Sequence, residues 1–230
     1  MNTQLAKLLS ILNLTVSDEH LIQNAFVHRS YLNESREFAQ SNERLEYLGD
    51  AVLELATSHF LYTTYPDFQE GMLTNLRAAL VRTESLGDTA QSLGFAKLLL
   101  MSKGEEATGG RGNRSILADT FEAFLGAVYL DQGYPACVQV LSEHLFPKAD
   151  GVLKAETYKD NKSLLQEIAQ SRYKATPLYN LLSEAGPDHD KEFIMQVSIG
   201  DQLYSQGSGK SKQAAQEDAA KNTLEMITHT

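Results

Sequence analysis

The chain has 230 residues, of which 42% are apolar and 22% charged, with a formal net charge of −10. This composition excludes a disordered chain, and the length suits one medium domain plus a small one. No apolar run is long enough to span a bilayer, and a single cysteine, Cys137, excludes an intramolecular disulfide and makes the cytoplasm the default compartment.

The charge is unevenly spread. Residues 1–150 hold 11 Lys/Arg against 19 Asp/Glu, a net of −8, and residues 151–230 hold 9 against 11, a net of −2. Overall acidity therefore says little about what either part binds. At the start, "MNTQLAKLLSILNL" places Leu5, Leu8, Leu9 and Leu12 at helical spacing with no small-residue cleavage site behind them. An amphipathic first helix is expected there, not a signal peptide.

From about residue 3 to 146, apolar residues recur three and four apart in "DEHLIQNAFVH", "LEYLGDAVLELATSHFLY", "LTNLRAALVRTESLGDTAQSLG" and "SILADTFEAFLGAVYLDQG". Turn-forming stretches, "TYPDFQEG", "LGFAK" and "GEEATGGRGNRS", separate them. No window alternates long enough to force a strand, so residues 1–147 are expected to form an all-helical domain. "FPKADGVLKAETYKD" breaks the pattern, and a linker is expected over 148–160. Residues 161–230 then read helix, three short strands, helix: a compact α+β domain of order α-β-β-β-α.

The nonapeptide "NERLEYLGD", Asn42 to Asp50, raises a chemical question. With Ser41 or Asn42 as N-cap, Glu43, Glu46 and Asp50 fall on one narrow helix face. Leu45, Leu48, Val52 and Leu55 are expected on the opposite, core-facing side. The helix dipole eases the first two charges by roughly 0.3–1 kcal/mol each, which does not explain the cluster. Gly49, about 1 kcal/mol worse than alanine inside a helix, implies a close neighbour. "SILADTFEAFLGAVYL" repeats the arrangement: Asp119 and Glu122 with Ala123 and Gly126 on one side, Leu117, Phe121, Phe124 and Val128 on the other. If the two helices meet, four carboxylates converge into a site for a hard divalent cation such as Mg²⁺ or Mn²⁺. Two solvated acidic faces are the alternative, and periodicity does not choose between them.

Three motifs add a resemblance. "NERLEYLGDAVLEL" resembles the signature helix of the ribonuclease III family, and "GGRGNRSILADTFEAFLGAVYLDQGY" is similar to that family's second catalytic segment. "LQE", "SEAGPDHDKEF" and "GSGKSKQAAQEDAA" resemble a double-stranded-RNA-binding domain in the bacterial order. The resemblance implies a Mg²⁺-dependent endonuclease of double-stranded RNA that leaves 5′-phosphate and 3′-hydroxyl ends and forms a homodimer through the helical domain. It implies Glu46, Asp119 and Glu122 as metal ligands, with Mn²⁺ a substitute ion, and Asp50 and Glu122 as catalytic groups. One and two metals per site both stay open. Glu43 and Glu70 match acids at the edge of the site. Tyr47 stands where the family usually has Phe, packed across the dimer interface.

In the tail, the resemblance assigns Ser163 and Gln166 to one minor groove of duplex RNA, His189 to the next, and Lys210, Ser211 and Lys212 to phosphates at a helix N-terminus. Lys212 is followed by Gln213 where relatives often carry a second basic residue, so salt-sensitive binding by the tail is expected. Arg111 and Arg114 are open between RNA contact and an ordinary basic loop. His28, His59 and His144 do not pair at metal-ligand spacing, and Glu105 and Glu106 read as a solvated loop. No phosphate-cradling GxxxxGK[ST] loop is present, so no nucleotide cofactor is expected, nor a membrane partner. The rivals to a nuclease are a catalytically silent RNA-binding regulator and a metal-dependent phosphohydrolase of small substrates.

Overall fold

A computed structural model describes residues 3–154, 161–187 and 191–228. The chain divides into two compact units, residues 1–158 and 159–230.

Unit 1 is helical. Its α-helices are α1 (Thr3–Ile11), α2 (Glu19–Asn24), α3 (Glu43–Thr64), α4 (Glu70–Val81), α5 (Thr83–Ser92), α6 (Lys103–Ala107), α7 (Arg114–Gln132), α8 (Tyr134–His144) and α9 (Lys148–Lys154). Helix α7 is the centre. Leu117, Phe121, Phe124, Leu125 and Val128 are all fully buried, so it lacks the polar half of a surface helix. Phe95 meets Phe26 and Phe124 edge-on, with centroids 5.1 and 5.3 Å apart. Each such side chain contributes roughly 1.5–3 kcal/mol of burial.

The linker expectation for 148–160 needs correction. Residues Lys148–Lys154 form α9, and Ala149 is buried with Leu61, Leu76 and Leu80. Lys148 anchors it by donating from Nζ to the Ser85 carbonyl and to Thr89 Oγ1, both at 2.6 Å. The heptapeptide is too short to show a periodicity, and its core contacts come from distant helices. Residues 155–160, the rest of the expected linker, lie outside the described residues.

Leu55 also departs from expectation: it is 61% exposed. Leu45, Gly49, Val52, Leu53, Ala56, Thr57 and Leu61 form the buried face of α3 instead. Over 22 residues the burial is set by α7 on one side and by α4 on the other, and Leu55 lines an open groove beside α4 instead of the core.

Unit 2 has α10 (Asn161–Tyr173), β1 (Pro177–Ala185), β2 (Glu192–Ile199), β3 (Gln202–Gly209) and α11 (Lys212–Thr228). The strands form one antiparallel sheet in sequential order. The β2–β3 hairpin turns at Gly200, whose φ of 60° a side chain would resist. Leu165, Ala169, Val197, Ile199, Ala219, Ala220 and Leu224 close the core between sheet and helices. This is the expected α-β-β-β-α order. No helix among the described residues is long and apolar enough to cross a membrane.

Candidate active site

The acidic site begins with a backbone contact. A Cβ on Gly49 would lie 1.7 Å from the Glu122 carbonyl oxygen, and one on Gly126 would lie 2.2 Å from that of Leu45. Only hydrogen fits at either position, so α3 and α7 cross with backbones touching. The close neighbour that Gly49 implied is α7 itself. Glu46, Asp50, Asp119 and Glu122 flank this crossing and feel one another's charge.

Glu122 carries most of the consequence. Burial, followed by repulsion from Asp50, Asp119, Glu46 and Glu54, pushes its carboxyl up to about 8. Burial and the charges of Asp119, Glu43 and Asp50 also raise Glu46. Asp119 is open to solvent on one side, but the protein crowded around its carboxyl raises it too, against a partial offset from His28.

A cavity of about 570 Å³ opens at the N-terminal ends of α3 and α7, lined by His28, Arg29, Asn42, Glu43, Glu46, Glu105, Asn113, Ile116 and Asp119; Asp50 and Glu122 are not among its lining residues. Asn42 caps α3 in position only: its side-chain Nδ2 donates to the Ala25 carbonyl. Ser41 Oγ donates to Glu43 at 2.8 Å, and Arg29 lies 3.8 Å from the same carboxylate. Asn113 caps α7 by accepting from the Ser115 and Ile116 amides. Glu105, read from sequence as an ordinary loop acid, lines the cavity.

Among the described residues, no three His, Cys, Asp or Glu side chains are drawn in tightly enough to hold an ion as they stand. The donor set nevertheless fits one. All the donors are carboxylate oxygens, which hard divalent cations take, and the neighbouring negative charge that adds to burial in raising Glu122 is what such an ion would offset.

Glu70 is not brought to this cavity within the chain. It starts α4 and lines a second cavity of about 720 Å³ with Leu55, His59, Tyr62, Phe68, Leu73 and Arg77. Arg111 closes its own loop, donating to the Ala96 and Leu99 carbonyls and pairing with Glu106. Arg114 pairs with Asp88. Arg111 is therefore committed to the fold, whereas the Arg114–Asp88 pair lies in solvent.

In unit 2, Gln166 is exposed on α10, one turn from Ser163. Ser211 caps α11 by accepting from the Ala214 amide at 3.1 Å. Lys212 Nζ lies 5.9 Å from the Phe193 ring centre, beside the first turn of α11, and Lys210 precedes that turn. His189 lies outside the described residues.

Sequence reasoning gave no role to His28, which the structure sets on the cavity wall near Asp119. No spacing signal could have found it, because the segments meeting at His28 are distant in sequence.

Comparisons with known proteins agree with this architecture. A Ribonuclease-III-like family model matches residues 18–149, and a double-stranded RNA binding motif matches residues 161–227. The ribonuclease 3 of Syntrophobacter fumaroxidans is 47% identical over 97% of this chain and 94% of its own length. That of Geobacillus thermodenitrificans is 46% identical over 94% of this chain and 88% of its own. Among solved structures, the nuclease domain of ribonuclease III from Campylobacter jejuni superposes with a TM-score of 0.57 at 37% identity, covering 61% of this chain and 97% of that one. The chain belongs to the ribonuclease III family, endoribonucleases specific for double-stranded RNA, and carries a double-stranded-RNA-binding domain behind its nuclease domain.

Proposed function

We propose that Glu46, Asp50, Asp119 and Glu122 carry duplex cleavage in this chain with Mg²⁺ as cofactor, Mn²⁺ serving in its place. The products have 5′-phosphate and 3′-hydroxyl ends. The enzyme acts in the cytoplasm on ribosomal RNA precursors and other duplex RNAs. The observation that carries this reading is the glycine-to-backbone crossing of α3 and α7, which buries Glu122 and sets it among three further carboxylates, so that burial first and their charge second push its carboxyl up to about 8. A fold that only bound RNA would have no use for that repulsion.

Glu46, Asp119 and Glu122 would hold the ion, directly or through water, and Asp50 would position water beside them. Bound there, the ion supplies Lewis acidity to the leaving oxygen and lowers the pKa of a coordinated water. The carboxylates hold the negative charge that retains the cation, and the crossing keeps them from moving apart. No side-chain nucleophile is called for. Burial pushes the Cys137 thiol up to about 12, which leaves it inert.

Homodimerisation through the nuclease domain is supported by an exposed apolar row on α3. Tyr47, Leu55 and Tyr62 share one helix face and are 83%, 61% and 73% exposed. The Campylobacter jejuni nuclease domain is described by a region involved in dimer formation. In unit 2, Ser163, Gln166, Lys210, Ser211 and Lys212 would contact duplex RNA, with His189 alongside them. Glu43 lines the cavity and would act at its edge.

The test is a long, fully paired RNA incubated with Mg²⁺, with Ca²⁺ and with chelator, beside single-stranded RNA and duplex DNA. Short duplex products are expected from paired RNA with Mg²⁺ only. Glu122→Gln should slow cleavage by at least about 10²–10³-fold, the usual loss when a key electrostatic group is removed, and leave duplex binding intact. Wild-type cleavage without a divalent ion, or full activity in Glu122→Gln, would sink the assignment.

A further inference from the structure

We propose that His28 is a substrate-binding residue of the cleavage site, its Nε2–H donating to a non-bridging oxygen of the scissile phosphate. The inference rests on the metal-dependent cleavage proposed above and adds a group that the carboxylate set does not contain.

Backbone bonds on both sides fix the position of His28. Val27 bridges Leu100 in parallel, the His28 amide donates to the Leu100 carbonyl at 2.9 Å, and the Asn42 amide donates to the Val27 carbonyl at 2.9 Å. The residue is thereby tied to the start of α3, which carries Glu46. Its ring forms part of the same cavity wall as Glu46 and Asp119.

The hydrogen-bond chain behind the ring selects its tautomer. The Ser102 amide donates to Ser30 Oγ at 3.0 Å, so the Ser30 hydroxyl is free to donate onward. His28 Nδ1 lies 2.8 Å from that oxygen and also accepts from the Ser30 amide at 3.4 Å. An Nδ1 that accepts from an N–H carries no proton, so the ring proton sits on Nε2. Among the described residues Nε2 has no hydrogen-bond partner, and the protein leaves it as a donor on the cavity wall.

The cavity needs such a donor. Its other ionisable lining groups are Glu43, Glu46, Glu105 and Asp119, with Arg29 the only full cation, already beside Glu43. A phosphodiester entering there meets carboxylates on most sides. A metal ion answers some of that charge, and an oriented N–H answers more at the phosphate oxygen turned away from the carboxylates. His28 is held rigidly by Ser30 and Ser102, so it meets the phosphate without reorganising.

Two substitutions separate the donor from the scaffold. His28→Asn keeps an acceptor near the Nδ1 position for Ser30 and removes the donor; His28→Gln reaches the Nε2 position with an amide N–H. In the full-length chain, His28→Asn should slow single-turnover cleavage by about 10- to 100-fold, the range for one hydrogen bond to a charged group, with duplex binding in Ca²⁺ and thermal unfolding little changed. His28→Gln should recover part of that loss. Sulfur at one non-bridging position of the scissile phosphate should slow the wild type more than it slows His28→Asn, a coupling that a structural role would not produce. Rates within about twofold of wild type in His28→Asn, or identical sulfur effects in both proteins for both diastereomers, overturn the assignment. A second readout needs no variant: histidine-labelled ¹H–¹⁵N spectra read the tautomer, and a His28 ring protonated at Nδ1 overturns it as well. A wild-type chain that leaves paired RNA uncut in Mg²⁺ fails the cleavage reading itself; a wild type that cuts beside an equally fast His28→Asn fails only His28.

Discussion

Glu122 shows how far one residue's chemistry is set by its neighbours. Its carboxyl is raised from an ordinary 4.5 to about 8, so between these values the folded chain holds a proton that the unfolded chain releases. Stability of the metal-free protein should therefore fall as pH rises through that window, the reverse of a salt-bridged carboxylate. A divalent ion competes with the same proton, so its binding strengthens with pH. Thermal unfolding with Mg²⁺ and with chelator should differ by a few degrees more near about pH 8.5 than near about pH 6. An equal Mg²⁺ effect at both pH values would mean that Glu122 is not a ligand. The acid identities were legible in "NERLEYLGD" and "LADTFEAF"; the shift was not, because it depends first on the burial of Glu122 and then on acids such as Asp50 reaching it from another helix.

At the scale of the element, the crossing of α3 and α7 is the feature that turns two acidic faces into one site. Two glycines, 77 positions apart in sequence, let a carbonyl of each helix take the place of a side chain on the other. Gly49→Ala should cost about 3 kcal/mol, the upper end of overpacking penalties, because the obstacle is backbone that cannot rotate away. Cleavage and the unfolding midpoint should fall together in this variant, whereas Glu122→Gln should lose cleavage alone. A Gly49→Ala chain with unchanged midpoint would show that the helices separate freely. Gly49 announced a close neighbour in the sequence, and so did Gly126, but neither named the other. Leu55 is the opposite case. Its helical position placed it with the core, and the actual arrangement of α4 and α7 around α3 left it in solvent.

For the whole molecule, the exposed row on α3 and the second domain each have a separable effect. In the proposed two-fold dimer the same row of both copies would come together, so Leu55→Asp would set two buried charges against each other. The dimer dissociation constant should rise by at least about tenfold, the cost of losing one strong interface contact, as measured by analytical ultracentrifugation. An unchanged dimer would place the interface elsewhere. Removal of the RNA-binding domain belongs after Tyr158, since Val152 and Leu153 pack with Leu61, Leu76 and Leu80 and an earlier cut would expose that cluster. The truncated chain should keep its divalent requirement but lose most cleavage of long duplex at physiological salt, partly regained at low salt, because fewer phosphates are then contacted. Equal cleavage by both chains at physiological salt would make the second domain dispensable.

The sequence by itself determined the helical nature of the first unit, the α-β-β-β-α order behind it and the two acidic helix faces on which Glu46, Asp50, Asp119 and Glu122 stand. These follow from periodicity, turn chemistry and short motifs, all properties of residues near one another in the chain. Tertiary structure alone decided that the two acidic faces meet, that α9 continues the nuclease unit, that Arg111 closes its own loop, and that Glu70 lies on a different cavity. It also decided that His28 stands on the cavity wall with Asp119, its Nδ1 turned to Ser30. Each of these depends on contacts between segments far apart in sequence, where packing and mutual charge, not local preference, choose the outcome.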